Sequence, residues 1–179
     1  MPLYELRENA ENRIRVSPAA AKLICTETKT TIAAIVEAFK SSSQKTGRIV
    51  TAAFEGMYGI DWAAVMAELA RAAKEAHLAL TVRDASGLYR SAEQIAAYKK
   101  PFLSDDPGFG LVNDAGRIED IMDPGNVQAV AAEIAAHKAK KGNGAFVVFG
   151  PGAMAASSEA GYDLVFYFDS TRQTVLWQM

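Results

Sequence analysis

Between a short apolar run at 48–54 (RIVTAAF) and an amphipathic stretch that begins at Trp62 stands the loop EGMYGID, 55–61. A glycine-bearing loop joining a strand to a helix start is a setting in which phosphates are gripped, because free amide hydrogens and the positive end of the helix dipole meet there. A working loop of this kind reads G-x-x-x-x-G-K-S/T: its backbone cradles the phosphates, its lysine neutralises them and its hydroxyl holds magnesium. Laid on that pattern, Phe54 replaces the first glycine, Gly59 matches the second, Ile60 replaces the lysine and Asp61 the hydroxyl residue. A carboxylate a few ångströms from a phosphate repels it by about 1 kcal/mol even in bulk-like water. Phosphoryl transfer is therefore expected to be lost here, with Asp61 capping its own helix and the glycines serving a tight turn. Gly56, Tyr58, Gly59 and Asp61 stand as candidate ligand-binding positions.

Ligands of open α/β sheets bind beyond the carboxyl ends of the strands. That rule selects three further loops, 83–91, 150–161 and 169–173. The second of these, GPGAMAASSEAG, is glycine-rich and short-chained, so its amides are able to form an anion nest; Gly150, Gly152 and Ser157 are its candidates. Asp84 and Asp169 each close a strand, where carboxylates serve either chemistry or turns. Arg90 and Arg172, with Arg83 and Lys99, are cations able to replace the charge missing at Ile60. Asp105 and Asp106 lack the further acids of a calcium loop and read as capping groups. His77, His137 and Cys25 have no neighbours that would make a relay. No catalytic residue and no metal ligand is assigned, and no cofactor is expected.

Composition narrows the classes. The 179 residues are 50% hydrophobic and 22% charged, enough for one globular domain. A net charge of −2 gives no footprint for nucleic acid or an anionic membrane. A single cysteine excludes an internal disulfide and a thiolate zinc cluster. Without a signal-peptide pattern or a membrane-length apolar run, the expected location is the cytoplasm.

The elements that would position these loops follow from periodicity. Residues 1–25 hold Pro2 and Pro18 without a steady period, and read as an extended arm with an edge strand near Ile14–Val16. Ile32, Ile35, Val36 and Phe39 share one helical face, which the polar run 41–47 is expected to end. Strand 48–54, the helix from Trp62 and strand 78–82 form a β-α-β unit. Ser91 and Gln94 suit a capping box for a helix through Tyr98, and Asp123–Pro124 suit the cap and first turn of another. Strands are expected at 145–150 and 163–169, followed by a hairpin into TVLWQM (174–179). The expected fold is a single α/β domain over 1–179, its sheet mainly parallel and flanked by helices, with an antiparallel C-terminal edge.

In order, IVTAAFEGMYGIDW, PFLSDDPGFG, GRIEDIMDPGNV and GAFVVFGPGAMAASSEAGYDLVFYFDSTRQTVLWQM resemble the N-terminal region of bacterial class I mannose-6-phosphate isomerase-like proteins, over about residues 30–179. In that family a kinase-like domain with a worn P-loop precedes a metal-binding cupin barrel. The resemblance implies a P-loop nucleoside-kinase-like fold, a sugar-phosphate context and a cupin partner. The isomerase chemistry belongs to the cupin, so no isomerase residue is carried over to this chain.

Three readings follow. The first is an accessory, non-catalytic kinase-like domain. The second is a phosphotransferase or binder of a sugar phosphate or nucleotide that uses displaced Arg and Lys cations. The third is an interaction module, a homodimer included, presenting Tyr58, Trp62, Tyr89, Phe102, Phe109 and Trp177.

Overall fold

The computed structural model describes residues 15–106, 109–157 and 161–170. Its frame is a four-stranded sheet in the order β2-β3-β1-β4, built from β1 (Val50–Gly56), β2 (Ala79–Asp84), β3 (Gly144–Phe149) and β4 (Leu164–Phe168). Every pairing is parallel, with Val50 beside Ala145, Ala52 beside Leu164 and Ala79 beside Gly144. β1 and β3 are buried nearly throughout, as expected of central parallel strands covered on both faces. The strand expected at 48–54 thus starts and ends two residues later.

Among the described residues five α-helices accompany the sheet: α1 (Pro18–Ala21), α2 (Thr28–Thr46), α3 (Trp62–Glu75), α4 (Ala92–Lys99) and α5 (Pro124–Ala139). α2 and α3 cover one face, where Phe39, Leu69 and Ala73 meet Val50, Phe54 and Val147. α5 covers the other, where Val130 and Ile134 meet Ala53, Phe146 and Val148. No helix among the described residues is long and apolar enough to cross a membrane.

Local signals set the helix starts. Asp61 accepts the Ala64 amide at 2.9 Å, Asp123 accepts that of Asn126 at 2.9 Å, and Ser91 with Gln94 forms the reciprocal capping box. The polar run at 41–47 does not end α2. Ser43 is buried and donates toward the carbonyls of Arg48 (2.9 Å) and Gly142 (3.0 Å), so the helix absorbs the serines and stops at Gly47, whose φ is +67°. Part of the expected extended arm is also helical: Ser17 caps one turn over Pro18–Ala21, with proline preset for the first position.

The β-α-β unit is present, with a further strand inserted in its middle. β1 and β2 are joined through α3 but do not touch; β3 lies between them. Nothing in a crossover helix dictates how many strands it clears. All described strands are parallel, while TVLWQM and the start of the Ile14–Val16 stretch lie outside the described residues.

Candidate functional site

β1 leaves the sheet through α3 on one face, whereas β3 leaves through a short 3-10 turn, Ala153–Ala156, packed with α5 on the other. Neighbouring strands whose chains depart to opposite faces open a crevice at their carboxyl ends. A cavity of about 480 Å³ lies there, lined by the loop after β1 and the start of α3, by the ends of β2 and β3, and by α4. Its walls include Tyr58, Trp62, Tyr89 and Phe149, with Asp84 and Lys99 as its charged groups.

The chain builds these walls with two glycines, one at a close approach and one at a positive φ. A Cβ on Gly56 would lie 2.7 Å from the Phe168 carbonyl oxygen and 3.0 Å from the Trp62 ring, so only hydrogen lets β1, β4 and the indole meet. Trp62 then packs on Phe168 at 5.3 Å and on Phe149 at 6.0 Å between ring centroids. Gly59 adopts a φ of +95°, which a side chain would strain, and this brings the loop over to the helix start.

Beside the cavity, Glu55 does what the sequence did not disclose. Its carboxylate accepts the amides of Gly152 (2.8 Å), Met154 (2.9 Å) and Gly56 (3.2 Å). Two tyrosines fasten the same turn: Tyr89 donates to the Pro151 carbonyl and Tyr162 to that of Ala153, both at 2.8 Å. Burial, then the neighbouring Tyr58 and Glu55, pushes the Tyr89 phenol up to about 12. Burial also raises Tyr162, again with help from Glu55. Both phenols are therefore protonated donors at neutral pH. The amides expected to form an anion nest at 150–157 already hold a carboxylate from the protein itself.

The candidate residues separate accordingly. Tyr58, Gly59, Asp84 and Gly150 line the cavity together. Asp61 and Asp169 border a different hollow of about 610 Å³, on the side of Cys25 and the start of α2. Gly56 and Gly152 act through backbone approach, Gly152 with a φ of +81°. Neither Arg90 nor Ser157 lines the 480 Å³ cavity. Arg90 donates from Nε to the Met122 carbonyl at 2.9 Å, and the Ser157 amide closes the 3-10 turn onto Met154. Arg83 points toward Glu133, 3.9 Å away. Arg172 and Trp177 lie outside the described residues. Among the described residues no three His, Cys, Asp or Glu side chains are grouped to hold a metal ion.

At the opposite end of the sheet, Asp163 binds the Arg48 guanidinium through two contacts, 2.7 and 2.9 Å, and accepts the Thr51 amide at 2.8 Å. Burial alone would raise this carboxyl, but Arg48 and Thr51 outweigh it and hold it at about 2. This network fastens the entry to β4 onto β1 and is remote from the cavity.

Residues 31–179 match a family described as a domain of unknown function, DUF8485. The chain belongs to that family. No curated protein and no solved structure matches it. The DUF8485 match takes in α2 from Thr31, every described element after it, and all the residues of the cavity.

Proposed function

We propose that this chain is a non-catalytic α/β domain of P-loop-kinase-like build that has given up phosphate binding. One observation carries the reading: two carboxylates of the protein itself hold amides at the start of α3 and in the neighbouring turn after β3. Glu55 takes those of Gly152 and Met154, and Asp61 takes that of Ala64 at the start of α3. Ile60, not lysine, stands between loop and helix. A triphosphate seated on the loop would meet the Asp61 carboxylate at the start of α3 and be repelled by it.

The kinase-like descent is supported by an all-parallel sheet whose first strand is central and ends in a glycine-bearing loop and a helix start. The resemblance to mannose-6-phosphate isomerase-like proteins adds the accessory role, with a cupin as the partner that would carry isomerase chemistry and its sugar phosphate.

The competing reading, a phosphotransferase with displaced cations, draws less support. Arg90 is committed to a carbonyl and Arg83 leans to Glu133, which leaves Lys99 as the cation on the cavity wall among the described residues. The deciding experiment is a turnover assay with ATP and Mg²⁺, with and without hexose and hexose-phosphate acceptors. No turnover above a buffer control is expected. Magnesium-dependent transfer abolished by Gly59→Val would overturn the proposal.

A further inference from the structure

We infer that the 480 Å³ cavity is a binding site for an aromatic amine, a ligand with a flat ring and a cationic nitrogen. This rests on the reading above that the crevice no longer takes phosphate, and it names what the crevice takes instead.

The cavity has the size and make-up of a small-molecule site, largely apolar with a few polar groups that fix orientation. Four of its walls are aromatic: Tyr58, Trp62, Tyr89 and Phe149. Two are held firmly, Trp62 between Phe149 and Phe168, and Tyr89 by its bond to the Pro151 carbonyl. Tyr58 is 70% exposed and adds a third ring that a ligand could cover. Such rings favour a flat partner, and their faces attract a cation.

Charge chooses among flat partners. Asp84 ends β2 at the cavity wall. Its Oδ1 accepts the Ser86 amide at 2.7 Å, and its Oδ2 has no partner among the described residues. Asp84 is exposed and lies beside Gly150, where a Cβ would stand 3.8 Å from Oδ1. Lys99 lies at the exposed end of α4 and opposes Asp84 with one positive charge, so removing it should sharpen the preference.

The test is a charge series on one ring system. Tryptamine, tryptophol and indole-3-propionate are titrated into the full chain by calorimetry, together with inorganic pyrophosphate. Tryptamine is expected to bind at least tenfold more tightly than tryptophol, and indole-3-propionate more weakly than both. Asp84→Asn keeps an acceptor for the Ser86 amide, so the fold is retained. It should bring tryptamine down to tryptophol while leaving tryptophol unchanged. Lys99→Ala should strengthen tryptamine alone. Equal binding of amine and acid, a ratio that survives Asp84→Asn, or no binding of any indole at millimolar concentration would overturn the inference and leave the proposed function standing. Tight pyrophosphate binding would overturn both.

Discussion

Replacing Glu55 with alanine removes the carboxylate that holds the β3 turn to the end of β1. Three amides lose their acceptor, at 2.8, 2.9 and 3.2 Å. A hydrogen bond to a charged group contributes about 1.5–3 kcal/mol, and the largest share goes with donors that water cannot reach afterwards. Gly152 is buried and should account for about 2 kcal/mol, while Met154 is exposed and rehydrates, leaving about 1 kcal/mol. The long contact to Gly56 adds little. The expected loss is about 3 kcal/mol, which for a chain of this size lowers the melting temperature by roughly 6–12 °C. Urea unfolding measures the first quantity and calorimetry the second. Glu55→Gln should recover less than half, because its amide nitrogen turns a donor toward a donor. The vacated nest should then accept an anion, so sulfate should stabilise Glu55→Ala beyond its general effect on the parent protein. A loss below about 1 kcal/mol, or full recovery with glutamine, would refute the reasoning from charge-assisted bonds.

Other perturbations test separate parts of the structure. His77 follows α3 at a φ of +52°, with its amide on the Lys74 carbonyl and that of Leu78 on Ala73. This closure favours glycine, so His77→Gly should raise the urea midpoint by the equivalent of about 0.5–1 kcal/mol. Gly56→Ala sets a methyl group against the Phe168 backbone and should cost about 1–3 kcal/mol, with a change in Trp62 fluorescence. The Asp163 carboxyl is held at about 2, below its ordinary 3.8, so its stabilising effect is full above pH 4 and is lost as pH falls from there toward 2. Asp163→Asn should flatten that part of the stability–pH curve. His137 lies flat on Phe146 at 4.3 Å, and burial, then Lys140, lowers its pKa. Its contribution is full above pH 6.5 and falls below it, and His137→Phe should remove that slope.

The starts of α3, α4 and α5 were legible at Asp61, Ser91–Gln94 and Asp123–Pro124 because a cap is a contract among residues three apart. The end of α2 was not. Ser43 reads as polar and turn-forming until the carbonyls of Arg48 and Gly142 arrive from elsewhere and satisfy its hydroxyl. Among the site residues, Tyr58, Gly59, Asp84 and Gly150 were found by the rule that strands deliver ligands at their carboxyl ends. Glu55 was overlooked. Its one visible sign was an acid directly after an apolar strand, and its partners are about a hundred residues away in the chain.

The sequence alone determined the alternation of strands and helices, most helix boundaries, and the loss of the lysine that phosphate chemistry would need. These depend on residue type and on spacings within a few turns, where the chain is its own neighbour. Only the tertiary structure decided that β3 lies between β1 and β2, that Glu55 fills the turn after β3, and that four aromatic rings and Asp84 share one cavity. Those outcomes are pairings between distant segments. They are selected by how two buried faces and every polar group can be satisfied at once, and no local pattern encodes that choice.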